Sequence, residues 1–360
     1  MPITFDVSKD DLATSRLMSV DQSFDKETEN SVWVKTEKFA FSANNITYAA
    51  FGRSMSYWDL FPREGVWGNI PVWGNATVIK SNRQDVSVGQ RLYGILPMAE
   101  EARLTLSDFM PGFLLEASSH RSSVSAVYNR YTLLPSDQMQ LPENVENALV
   151  VFRPLFITAY LLAVYLKEND YFGADQVVLT SASSKTAVSL SHFLKHLGAK
   201  LKVVALTSPQ NEPFVSSLPS YDETISYGSL SDLACELKTV VVDFAGDPKL
   251  IQKLRAKLNG NLARAIGIGA ADWQNSERAR NLPAEEADFF FAPTHINQRV
   301  QAWGPVEFQK RTTEAWMSLV PAISGWLAIK RVSGPENIQE AYLKILNNEV
   351  APFEGYVLSF

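Results

Sequence analysis

At 360 residues, 46% hydrophobic and 20% charged, the chain is an ordinary globular sequence too long for a single core, so two domains are expected. A net charge of −6 without a basic cluster argues against nucleic acid as a partner, and one cysteine, Cys235, excludes an internal disulfide and a cysteine-rich zinc site. The four scattered histidines (His120, His192, His196, His295) leave little for a metal, the apolar runs such as 159–164 fall short of a membrane span, and the acidic start MPITFDVSKDD does not read as a signal peptide; no metal, no membrane partner and a cytoplasmic location are expected.

Residues 1–150 are rich in β-branched and aromatic residues broken by Gly, Pro and Asn, and SVWVKTEKFAFSANNITYA and WGNIPVWGNATVIKS alternate at the strand period, which predicts a β domain. VSVGQRLYG is a glycine turn leading into a strand. RYTLLPSDQMQLPENV, punctuated by prolines, reads as a domain boundary, after which the period changes from 2 to 3.6 and residues 147–167 predict helices interrupted at Pro154.

The stretch 177–206, VVLTSASSKTAVSLSHFLKHLGAKLKVVAL, predicts strand, small-residue turn, helix and second strand. Val188, Leu190, Phe193, Leu194 and Leu197 form the apolar stripe of the helix, which opens near Ser184 and closes at Gly198. A helix N-terminus after such a turn offers N–H donors and partial positive charge to a pyrophosphate. The usual G-x-G-x-x-G is absent, since no glycine lies between Gly173 and Gly198, so a nucleotide turn and a plain α/β crossover both stay open at this point. Lys185-Thr186 matches the end of a P-loop, but the glycines that such a loop needs are missing.

Strands then recur at 224–227, 239–244, 263–268 and 288–292 around a helix at 247–258, which predicts a doubly wound parallel α/β sheet. Its ligands would sit at the carboxyl ends of the strands, at residues 181–185, 207–211, 244–246 and 267–269. A helical region over 306–331, a helix opening after Gly334-Pro335 and a terminal strand GYVLSF complete the chain, the last expected to return to the first domain's sheet.

The order of these pieces resembles the medium-chain dehydrogenase/reductase superfamily, in its zinc-free quinone-oxidoreductase and enoyl-reductase-like branches, along nearly the whole chain. RPLFITAYLL resembles the Pro-x-x-x-Thr-Ala-Tyr helix, TSASSKTAVSLSHFLKHLGA the nucleotide turn and its helix, VVVDFAGDPKLIQKL the segment after the fourth Rossmann strand, and ARAIGIG the strand beside the nicotinamide. FSANNITYAAFGRSMSYWDLFP is similar to the segment that carries an Asn, and sometimes a Tyr, near the substrate. Gln90 stands where the family's Gly-Asp-Arg-Val segment has Asp.

The resemblance implies a chaperonin-10-like (GroES-like) β domain, residues 1–150 and 296–360, around a Rossmann domain, residues 151–295. It implies Asn45 as a positioning group and Tyr57 and Tyr48 as donors or proton sources, Tyr57 being the better match to the enoyl-reductase tyrosine. Ser181, Ser184 and Ala187 take the three glycine positions, and the cofactor would further meet Thr158, Ala182, Ser183, Lys185, Thr186, Tyr227, Phe244, Gly246, Gly267, Ile268, Gly269 and Phe291. Twenty positions beyond Ala187, where an NAD enzyme places an acid on the ribose, the chain has Thr207, Ser208, Pro209, Gln210 and Asn211, so NADP (NADPH) is the expected dinucleotide. The expected activity is reduction of an activated double bond, quinone or related carbonyl of a small-molecule substrate. The rival is a non-catalytic relative that kept the scaffold. A homodimer is compatible with either.

Overall fold

The computed structural model describes residues 1–20, 30–107, 112–135, 141–268 and 288–360. They fall into two compact units, Met1–Val151 with Ala328–Phe360, and Phe152–Leu327. Residues 296–327, grouped with the first domain on the sequence, cluster with the second unit instead.

In the first unit β1 (Ile3–Ser8), β2 (Ser15–Ser19) and β3 (Ser31–Phe41) precede a short helix, α1 (Ala43–Ala50), and then come β4 (Trp67–Gly68), β5 (Pro71–Ser81), β6 (Arg91–Pro97), β7 (Glu101–Thr105), β8 (Phe113–Leu115) and β9 (Arg130–Leu133). The strand period of the sequence does not announce α1. It is started by Ser42, extended at φ −158°, whose N–H donates to Asn45 Oδ1 at 3.0 Å, a local device that outweighs the β-leaning composition around it.

Next, α2 (Glu143–Glu168) runs unbroken through Pro154, where the sequence predicted an interruption. Among the described residues it is the one helix long and apolar enough to cross a membrane by length and composition, and 61% of its apolar window is buried inside the protein. Summing single apolar runs missed it because Arg153 and Pro154 divide the pattern.

The second unit contains β10 (Gln176–Leu179), α3 (Lys185–His196), β11 (Lys202–Thr207), α4 (Glu212–Ser216), β12 (Glu223–Ser226), β13 (Thr239–Asp243), α5 (Pro248–Leu258), β14 (Leu262–Gly267), β15 (Asp288–Phe289), α6 (Ala292–Trp303) and α7 (Pro305–Ser324). All six strands pair in parallel, in the order β12-β11-β10-β13-β14-β15, with Val178 beside both Val204 and Val241. Numbered within the sheet this is 3-2-1-4-5-6, the order of a dinucleotide-binding Rossmann sheet, whose direction of winding reverses between β10 and β13. Val178, Val204, Leu206, Ile225 and Val241 are buried against Leu250, Ile251, Leu254 and Leu258 of α5. Strands covered on both faces read as unbroken apolar runs, which is why VVL, VVAL and VVV were legible.

The chain re-enters the first unit with β16 (Ala328–Ser333), α8 (Pro335–Leu346) and β17 (Glu354–Ser359). Residues 328–331 form a strand rather than the end of the predicted helix, since Gly325 ends α7 and residues 328–333 pair with β17. β17 in turn pairs antiparallel with β3, Val357 opposite Ala40, as the terminal-strand reading expected. The main sheet of this unit runs β16-β17-β3-β5-β6-β9-β8, with β7 also on β3.

Candidate functional site

Two groups of residues carry chemistry, one in each unit. In the second unit, β10 ends at the switch point and the chain turns through Ser181, Ala182, Ser183 and Ser184 into α3. Ser181 has φ +46°, the left-handed region that glycine occupies without steric penalty, so the first glycine position keeps its backbone shape while carrying a side chain. The Ser181 N–H donates to Tyr227 Oη at 2.7 Å, and Ala182 N–H donates to Leu206 O at 3.0 Å. Ser184 caps α3, its Oγ accepting from Ala187 N at 3.3 Å. The N–H groups of Ser183 and Thr186 donate to nothing among the described residues, so donors remain at the helix N-terminus. Ala187 is fully buried.

The turn is tied to the end of β11. Asn211 Nδ2 donates to Ser183 Oγ at 3.0 Å, and the hydroxyl of Tyr221 donates to Ala182 O at 2.8 Å. Thr207 is 1% exposed and its Oγ1 has no hydrogen-bond partner, an orphan at the carboxyl end of β11. No carboxylate stands at 207–211, and Ser208, partly exposed, follows it. Structure thus brings Ser181, Ser183, Ala182, Tyr227 and Asn211 into one bonded set, with Thr207 beside Ser208 at the strand end.

A second pair, which the sequence analysis did not single out, holds the switch point. Thr180 Oγ1 donates to Asp243 Oδ1 at 2.5 Å and accepts from the N–H groups of Phe244 at 2.9 Å and Ala245 at 3.1 Å. Asp243 Oδ1 also accepts from Ala245 N at 3.0 Å and Gly246 N at 3.2 Å. Burial pushes the Asp243 carboxyl up from its ordinary value, against the pull of these donors. The signal was present as a polar residue ending each of two apolar strands, VVLT and VVVD. Phe244 and Gly246 are placed by this network, and Ile268 N–H donates to Asp243 O at 3.0 Å while Gly267 O accepts from Phe290 N at 2.9 Å. Phe291 caps α6 and Thr158 Oγ1 bonds Pro154 O at 2.9 Å, so Thr158 is tied to its own helix. Gly269 lies outside the described residues.

In the first unit, α1, β5 and two single-turn helices, Tyr57–Asp59 and Ala126–Asn129, bring Tyr48, Trp73, Tyr57 and Tyr128 together. The Tyr57 turn is locked by its neighbour Trp58, which lies so close to Gly52 and Gly68 that a Cβ on either would come within 2.6 Å of the indole. Ring centroids are 4.9 Å apart for Tyr48 and Tyr57 and 5.4 Å for Tyr57 and Tyr128. The Tyr57 and Tyr128 hydroxyls are 3.1 Å apart, and Trp73 Nε1 donates to Tyr48 Oη at 3.0 Å. Burial drives the Tyr48, Tyr57 and Tyr128 phenols above their ordinary range.

Asn45, expected as a positioning group, uses both ends of its amide in the scaffold. Its Oδ1 accepts from Ser42 N, and its Nδ2 donates to Pro71 O at 3.2 Å. Trp73 and Tyr128 lay outside the sequence argument because they come from segments 16 and 71 residues beyond Tyr57, and no local period links them. Among the described residues no three His, Cys, Asp or Glu side chains group to hold a metal. His192 and His196 stack with centroids 5.9 Å apart, and His192 Nε2 lies 3.2 Å from Ser318 Oγ, a helix-to-helix contact between α3 and α7.

A Rossmann sheet in 3-2-1-4-5-6 order, preceded and followed by segments of one β unit, defines the medium-chain dehydrogenase/reductase fold. Solved structures agree over the whole chain. CurA from Vibrio vulnificus superposes with a TM-score of 0.63 at 13% identity, covering 100% of this chain and 98% of that one. The mycobacterial protein Rv1454c, complexed with NADPH, gives 0.57 at 17% and 100% of both chains, and the yhdH oxidoreductase of Salmonella enterica, complexed with NADP, gives 0.55 at 15% and 99% of both. The chain belongs to the family described as "Protein of unknown function (DUF2855)", whose model matches residues 39–351. No curated protein matches the sequence.

Proposed function

We propose that the chain is an NADPH-dependent, zinc-independent reductase of an activated double bond, a quinone or a related carbonyl. The observation that carries the reading is the turn after β10. It keeps a left-handed residue at Ser181 and leaves the N–H groups of Ser183 and Thr186 unspent at the N-terminus of α3. The residues present fit a dinucleotide: those two amides and Lys185 suit the pyrophosphate, and the orphan Thr207 Oγ1 with Ser208 suits a phosphorylated ribose that no carboxylate repels. Bound there, NADPH supplies hydride. The chain's own part is to fix the cofactor and to supply a proton, for which the buried phenols of Tyr48 and Tyr57 are the donors.

A second reading, a relative that binds a ligand without turnover, is favoured by one observation. All three glycine positions, Ser181, Ser184 and Ala187, carry side chains, and the Tyr227 hydroxyl already takes the Ser181 amide. Titration of the protein with NADPH, followed by nicotinamide fluorescence, decides whether the site is a cofactor site. Saturation well below about 1 mM is expected, and its absence in a folded sample sinks the reductase reading. Ser184→Arg is expected to abolish the enhancement, because the added side chain fills the mouth of the turn; unchanged affinity would move the site elsewhere.

A further inference from the structure

We propose that Tyr221 is a positioning residue of the dinucleotide site, aiming the Ser183 amide at the pyrophosphate through the peptide plane between Ala182 and Ser183. The inference rests on the cofactor part of the reading above, and it names a side chain that stands in for the missing glycines. The Tyr221 hydroxyl donates to Ala182 O at 2.8 Å. That oxygen and the Ser183 N–H belong to one peptide group, and no peptide bond among the described residues is cis. In a planar trans peptide the C=O and the N–H point in opposite directions. A grip on the oxygen therefore sets where the unspent Ser183 donor points, without Tyr221 touching the ligand.

The turn needs such a grip for two reasons. Ser181 is held at φ +46°, where a residue with a Cβ is strained and a glycine is not, so the chain is biased to relax. Ala182 is fully buried, and no other donor among the described residues reaches its carbonyl, so Tyr221 is what pairs that oxygen. The bond from Asn211 Nδ2 holds the Ser183 side chain, not this peptide plane.

Tyr221 is itself fixed by the segment that carries it. Its hydroxyl also bonds Ser191, a fully buried polar residue on α3, and Ser191 Oγ lies 2.7 Å from Ser220 Oγ. The next residue, Asp222, accepts from Val203 N of β11 at 2.7 Å and pairs with Lys195 of α3. Residues 220–222 are thus anchored both to the helix that the turn opens and to the strand beside β10. Tyr227, at the other end of β12, grips the preceding residue of the turn, its oxygen accepting from Ser181 N at 2.7 Å. One strand, β12, accordingly carries the grips on two successive residues.

The test separates the two phosphate-bearing parts of the dinucleotide. Tyr221→Phe keeps the ring and removes the bond to Ala182 O. NADPH affinity, read by nicotinamide fluorescence, is expected to fall about tenfold. Adenosine 2′-phosphate has the phosphorylated ribose and no pyrophosphate, and its affinity, read by calorimetry, is expected to change by less than about twofold. A role confined to stability would move both ligands together or neither. Equal losses for the two ligands, or no loss for NADPH, overturn the proposal. Ser191→Ala, which removes the other partner of the Tyr221 hydroxyl, is expected to give the same pattern at smaller size, and it carries the test if circular dichroism finds Tyr221→Phe unfolded. Without ligand, hydrogen exchange over residues 180–186 is expected to quicken about tenfold in Tyr221→Phe while β13 keeps its protection. Unchanged exchange likewise overturns the proposal. A folded wild type that does not bind NADPH sinks the parent reading instead, and the exchange without ligand then decides separately whether Tyr221 fixes the turn.

Discussion

Asp243 is the residue whose chemistry the fold spends most on, for its single Oδ1 receives Thr180 Oγ1 and two amides at the reversal of the sheet. Its protonated form is favoured in the folded state because burial outweighs those donors. The sign follows from a folded value raised above the unfolded one. The stabilisation is present in full at pH below the unfolded value, and it is lost as pH rises through the raised folded value. Asp243→Asn keeps an oxygen acceptor and cannot ionise. Urea unfolding of the variant is therefore expected to vary less between about pH 4 and pH 7 than that of wild type, while its stability at neutral pH stays within about 1 kcal/mol or rises. Asp243→Ala, which strands the Thr180 hydroxyl and the Gly246 amide, is expected to cost about 2–4 kcal/mol. A wild type and an Asp243→Asn variant with parallel pH dependences would show that the carboxylate is ionised in the fold at no cost.

At the scale of elements, α2 shows what a helix interior tolerates. Pro154 lacks the N–H that would reach residue 150, yet the helix continues for 14 further residues because Leu155, Phe156, Ala159, Leu161, Leu162 and Ala163 are buried. Tertiary burial here outweighs a local breaker. Pro154→Ala is expected to raise the unfolding free energy by about 1 kcal/mol, the restored bond being partly offset by a freer unfolded chain, and chemical denaturation measures it. A loss instead would mean that packing around α2 requires the proline's bend.

The same contrast explains which elements were legible in the sequence. The parallel strands were, because burial on both faces turns each into an apolar run, and so were α3, with its Ser184 cap and Gly198 end, and α8 after Gly334-Pro335. α1 was hidden in a β-leaning segment whose helix depends on one Ser42–Asn45 contact, and β16 was absorbed into a helical pattern because its partner, β17, is 26 residues away. In the site, Ser181, Ser184 and Tyr227 could be placed from chain order. Trp73, Tyr128 and the Thr180–Asp243 pair could not, since each depends on which strand ends the sheet brings together.

At the scale of the whole molecule, the proposed cofactor site lies within a single unit, Phe152–Leu327, so its binding energy should act on that unit's stability. A ligand that binds only the folded state adds about 2.7 kcal/mol at 100 times its dissociation constant. Hydrogen exchange with and without NADPH is accordingly expected to show added protection at β10, β11, the turn between β10 and α3, and the neighbouring strand ends. Ser208 tests the choice of dinucleotide within that response. It follows Thr207 where the carboxylate that selects NAD is missing, so Ser208→Asp places a negative charge where the 2′-phosphate would lie. The variant is expected to lose about tenfold or more in NADPH affinity and much less, or nothing, for NADH, with the exchange protection by NADPH shrinking in step. The added carboxylate should bond the ribose hydroxyls of NADH, so a modest gain there is the strongest outcome for the assignment. Equal losses for both dinucleotides would instead mean that residue 208 acts on the backbone turn after β11, and the argument from the missing acid would fall while the pyrophosphate site at α3 stood.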